Sequence, residues 1–104
     1  MSAPRVWKYA VPMPDRHCRA WVYLPNGAAP LSVGLQQDEM VLWALVPEDA
    51  WDGDSLDEHK HRLIVANTGA VIPELPEGVR FLGTVTFSNG IVWHVWDGDS
   101  GAAE

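Results

Sequence analysis

A chain of 104 residues has room for one hydrophobic core, and its 47% hydrophobic content is enough to fill that core. No apolar run approaches the roughly 18–20 residues of a membrane span, and no apolar stretch follows a basic cluster near the start, so neither a membrane partner nor a secretory leader is expected. A net charge of −7, with seven scattered Lys and Arg, argues against phosphate-backbone binding and leaves nucleic acid out of the expected partners.

The single cysteine, Cys18, has no internal partner for a disulfide, which suits a reducing cytoplasm. Six Trp in so short a chain supply large contact areas for a core or an interface.

Strand signals dominate from the first element onward. Residues 5–11 alternate, placing Trp7, Tyr9 and Val11 on one face, and stop at Pro12 and Pro14, which cannot donate to a ladder. Residues 20–24 form a second strand ended by Pro25-Asn26-Gly27. Residues 31–36 alternate as a half-wet strand, and a turn at Gln37-Asp38-Glu39 leads into Met40–Val46. That run is apolar on both faces and reads as the central strand of a sheet.

Residues 47–60 form an acidic loop carrying six of the fourteen acids: Glu48, Asp49, Asp52, Asp54, Asp57 and Glu58. Strand character resumes at residues 61–66, and a Pro- and Gly-bearing connection follows. The last unit is a hairpin around Ser88-Asn89-Gly90. A three-residue loop with Gly90 left-handed sets Phe87 against Ile91, Val85 against Trp93 and Thr84 against His94, keeping apolar residues on one face. Residues 97–104 have little to pack and are expected to fray as a flexible acidic tail. The prediction is an all-β fold: one β domain over residues 1–96, a compact antiparallel sandwich or partly open barrel of six to seven short strands.

Arg5 to Tyr9, Leu24-Pro25, Gly27-Ala28, Leu31-Ser32-Val33, Val41 to Pro47, Thr68-Gly69, Gly83-Thr84-Val85 and Val92 to Val95 together carry a resemblance. The chain resembles an uncharacterised family of small proteins encoded by bacteriophages and prophage-bearing bacteria. It departs from that family's pattern in the longer acidic loop and in the added tail. The resemblance implies a phage-type source and transfers no catalytic residue.

Few constellations carry chemistry. His59-Lys60-His61 reproduces the first half of a cupin-type signature, with two histidines pointing the same way from a strand. Its completion is missing: Ala66 stands where a carboxylate would fall, and Phe81 where a third histidine would. A solvated strand start is the simpler expectation, with His59 and His61 as the fallback metal ligands and no cofactor expected. Asp52, Asp54 and Asp57 lack the closing Glu and mid-loop Gly of a calcium loop. His17 and Cys18, if on a strand, face opposite ways, and no nucleophile elbow or phosphate-cradling glycine loop occurs. Paired carboxylates of glycosidase type need not be neighbours in sequence, yet a domain this small leaves little wall for a cleft. Binding is expected over catalysis.

The pentapeptide Trp-Asp-Gly-Asp-Ser occurs at residues 51–55 and again at 96–100. Both copies have turn chemistry, and their flanks do not align, so they are no duplicated domain. Trp51 with Asp52 and Asp54, and Trp96 with His94, are the candidate partner-binding residues: an indole that anchors, and acids that steer a basic protein surface. The expected function is that of a small accessory protein binding another protein or its own copies. The alternatives are a cupin-like small-molecule or metal-binding barrel and a minor virion component.

Overall fold

The computed structural model describes residues 3–48 and 58–100. Among these residues seven strands form: β1 (Arg5–Ala10), β2 (Arg19–Pro25), β3 (Ala29–Gln36), β4 (Glu39–Val46), β5 (Glu58–Asn67), β6 (Arg80–Thr86) and β7 (Val92–Asp97). All pairings are antiparallel, in a three-stranded sheet ordered β1-β4-β3 and a four-stranded sheet ordered β2-β5-β7-β6. The result is the all-β sandwich read from the sequence, and it is not a closed barrel. No helix of the described residues is long and apolar enough to cross a membrane.

Period-two alternation decides which side chains meet between the sheets. Ala20, Val22 and Leu24 of β2, Leu63 and Val65 of β5, Val95 of β7, and Leu82 and Val85 of β6 face Met40 and Leu42 of β4. Tyr9 and Val33 pack against this cluster, as does Val11 just past β1. The apolar run of β4 is central in its sheet, as its two-faced pattern predicts.

Trp7 shares the face of Tyr9 and Val11, which assigns it to the core by alternation, but the structure leaves it out. It belongs to an outer strand and stays 54% exposed, while the core takes in only Tyr9 and Val11 from that stretch.

The two hairpins show how turn chemistry sets register. Gln37 and Asp38 both adopt left-handed φ values of 53° and 61°, making a two-residue turn in which Gln36 pairs with Glu39. The β6–β7 hairpin has the three-residue loop. The Phe87 amide donates to the Ile91 carbonyl at 2.8 Å, Gly90 is left-handed at φ 91°, and Thr84 pairs with His94 and Val85 with Trp93. The Ser88 amide donates to Asp38 Oδ1 at 3.1 Å, tying the two turns together at one end of the sandwich.

Strand β6 carries an irregularity between Phe81 and Gly83 that turns Leu82 into the core. Gly83 sits there at φ 149°, and an added Cβ would lie 3.3 Å from Val33 Cγ2. Gly83→Ala is therefore expected to destabilise the fold by about 1–3 kcal/mol, from a backbone region almost closed to other residues. Chemical denaturation measures it. A loss below about 0.5 kcal/mol would mean the strand relaxes into ordinary geometry.

Candidate functional site: a buried His–Asp relay and an aromatic outer face

Strand β5 starts at Glu58, earlier than the acidic stretch of sequence suggests, so His59 and His61 lie within it. Both take the inward parity of Leu63 and Val65. His61 is 7% exposed, so the expectation of a solvated strand start does not hold for it. The inward phase of the strand places an imidazole where β2 offers Val22 as its pairing partner.

The burial is compensated by hydrogen bonds. His61 Nε2 lies 2.6 Å from Asp97 Oδ1, and His61 Nδ1 lies 3.1 Å from His59 Nε2. One tautomer set satisfies both contacts: His59 Nε2–H donates to His61 Nδ1, and His61 Nε2–H donates to the Asp97 carboxylate. Asp99 Oδ2 stands 3.7 Å from His61 Nδ1.

Asp97 is 5% exposed, and burial alone pushes its carboxyl up. The hydrogen bond from His61, the Asp99 amide and the Arg80 charge outweigh that, leaving it below the ordinary carboxylate value.

Asp97 opens the second Asp-Gly-Asp-Ser, which is a clasp rather than a fraying tail. The Asp99 amide donates to Asp97 Oδ1 at 3.1 Å, and Ser100 donates to the Asp97 carbonyl through its amide at 3.1 Å and its hydroxyl at 2.7 Å. The Ser100 hydroxyl oxygen accepts from the Arg80 amide at 2.7 Å, and Asp99 Oδ2 accepts from the Arg62 amide at 2.9 Å. Gly98 exchanges bonds with Arg62 as well: its amide donates to the Arg62 carbonyl at 2.9 Å, and its carbonyl accepts from Arg62 Nη2 at 2.8 Å. The turn thus pins β7 to β5 on one side and to β6 on the other. Residues 97–100 are packed where the sequence suggested they would not be.

The opposite face of the same sheet holds the other candidates. His94 lies between two hydroxyls, Thr68 Oγ1 at 2.8 Å and Thr84 Oγ1 at 3.1 Å. Trp96, two residues on, is partly buried, and its ring meets that of Phe81 edge to face at 5.4 Å between centroids. Phe81 is 51% exposed. The structure brings His94 and Trp96 to one surface and adds Phe81, which sequence reasoning had weighed only as an absent histidine. Trp51, Asp52 and Asp54 lie outside the described residues.

The cations of this face are engaged. Arg19 pairs with Asp15 at 3.2 Å, Lys60 Nζ lies 4.7 Å from the centre of the Trp21 ring, and Arg62 has Asp99 and Glu74 within 4 Å.

His17 and Cys18 occupy a turn rather than a strand. Cys18 is left-handed at φ 64°, and its thiol sits 3.7 Å from the Val71 carbonyl. Among the described residues no three His, Cys, Asp or Glu side chains converge as a ligand set for a metal.

No curated protein and no solved structure matches the chain. A family described as a domain of unknown function, DUF7352, does match it, over residues 2–104, and the chain belongs to that family.

Proposed function

We propose that this protein is a binding module whose outer four-stranded face docks a protein partner with a basic surface through Phe81 and Trp96. The observation that carries this reading is the Phe81 ring, 51% exposed while held edge to face against Trp96. An aromatic pair on a rigid sheet loses little side-chain freedom on binding and makes an efficient anchor.

Charge supports the choice of partner. The chain carries −7, and on this face Arg19 is paired with Asp15 and Arg62 with Glu74 and Asp99. A basic surface is thereby attracted from a distance and a phosphate backbone is not. The family resemblance described above favours a phage or prophage setting with a partner in the host cytoplasm. It also leaves room for a place in the virion.

The test is affinity capture with the wild-type chain and with Phe81→Ala. Phe81 lies on the outer face, so the variant is expected to fold normally while losing at least about 2 kcal/mol of binding, a factor of roughly 30. The association should also weaken as salt rises. A partner retained equally by both proteins would overturn the docking face, and one whose binding ignores salt would overturn the charge argument.

A further inference from the structure

We propose that His59 and His61 form a two-imidazole site for a late divalent transition ion such as Zn²⁺, with Asp97 as the positioning residue behind His61. This site faces inward and is separate from the Phe81–Trp96 surface, so it stands or falls independently of the docking reading.

The two nitrogens already stand at nearly the spacing of a chelate. His59 Nε2 and His61 Nδ1 are 3.1 Å apart. Two nitrogens bound to one tetrahedral Zn²⁺ at ordinary bond lengths lie about 3.3 Å apart, so a small widening, with both rings turned until their lone pairs converge to one side of the present N···N line, admits the ion.

The far side of His61 is set for the same task. Its Nε2 is held at 2.6 Å by the buried Asp97 carboxylate, which fixes the proton on Nε2 and turns the Nδ1 lone pair towards His59. A carboxylate behind a ligating imidazole orients the ring and raises its basicity, the arrangement common around bound Zn²⁺. Asp97 is in turn fixed by the Asp99 amide at 3.1 Å, so the whole support belongs to the clasp at the end of β7.

Loading balances as a tautomer exchange. The ion takes the His59 Nε2 and His61 Nδ1 lone pairs, the proton leaves His59 Nε2, and His59 regains one on Nδ1 through water. Both imidazoles stay neutral, and no oxidant or reductant is needed. The described residues supply no third ligand at coordinating geometry, so water completes the shell and the site is open and exchangeable. Imidazole nitrogens select Zn²⁺, Cu²⁺ or Ni²⁺ over Mg²⁺ and Ca²⁺, which want oxygen.

The experiment is titration of the intact, metal-stripped protein with Zn²⁺, followed by calorimetry and by nitrogen NMR of the histidine rings, with Mg²⁺ as the comparison ion. One Zn²⁺ per chain is expected, moving the His59 Nε2 and His61 Nδ1 resonances and leaving those of His17 and His94 in place. His59→Ala, which removes a ligand from a partly exposed position, should abolish the uptake. Asp97→Asn, which keeps an acceptor but loses the charge, should weaken it roughly 10- to 100-fold. Zn²⁺ uptake by His59→Ala equal to wild type, or shifts confined to His17 and His94, would overturn the site, as would Mg²⁺ competing on equal terms.

Discussion

Replacing Asp97 with Ala is expected to lower stability by about 3 kcal/mol, which for a domain of this size moves the melting midpoint down by more than roughly 10 °C. Two losses add up. The bond from His61 Nε2 at 2.6 Å disappears, and hydrogen bonds to a charged acceptor are worth about 1.5–3 kcal/mol. The Asp99 amide loses its acceptor, which loosens the turn that joins β7 to β5 and β6. The first loss is the larger, because His61, whose side chain is only 9% exposed, keeps a buried donor with nothing to meet it.

Asp99 is the internal control. Its carboxylate is 40% exposed, so water replaces the bond it accepts from the Arg62 amide. Asp99→Ala should cost about 1 kcal/mol or less. Asp97→Asn should fall between the two, because the amide retains an acceptor oxygen but no charge. Thermal melts of the three variants check the ranking. Equal small losses for Asp97→Ala and Asp99→Ala would show that the buried pair is not what holds the clasp.

How far such a feature is legible in sequence depends on what fixes it. The β6–β7 hairpin is fixed locally. Ser88-Asn89-Gly90 dictates the turn, the apolar residues Val85, Phe87, Ile91 and Trp93 choose the face, and the register follows to the residue. The two-faced apolar run of β4 likewise announces a central strand.

The His61–Asp97 pair is fixed by tertiary pairing across 36 positions, with Leu63 of β5 set opposite Asp97. Nothing local marks it. A signal was nonetheless present: His61 keeps the inward phase of Leu63 and Val65, and Asp97 keeps that of Trp93 and Val95. Two polar residues in inward phase on separate strands call for each other, because neither can be buried alone. Turn-like composition at residues 97–100 concealed this, since the same Asp-Gly-Asp-Ser chemistry that makes loose tails also makes tight clasps. Trp7 failed in the other direction: alternation gives the side of a strand, not whether the opposing sheet reaches far enough to cover it.

The same limit of alternation supplies a sharp comparison within β4. Leu42 and Leu45 are chemically identical, three residues apart, and therefore on opposite faces of one strand. Leu42 is fully buried in the cluster with Val22, Leu63 and Val95, whereas Leu45 is 38% exposed on the outer face, paired across the strands with Val6 and Ala29. Leu42→Ala removes the same atoms as Leu45→Ala but leaves a cavity that flanking strands, held by ladders on both sides, are poorly able to collapse into. The expected cost is about 2–5 kcal/mol for Leu42→Ala against about 1 kcal/mol or less for Leu45→Ala. Urea denaturation of both variants measures the difference. With total stabilities of small domains lying at about 5–15 kcal/mol, the Leu42 variant should sit close to the edge of folding. Comparable losses for the two would mean that the outer face of the three-stranded sheet is covered in solution.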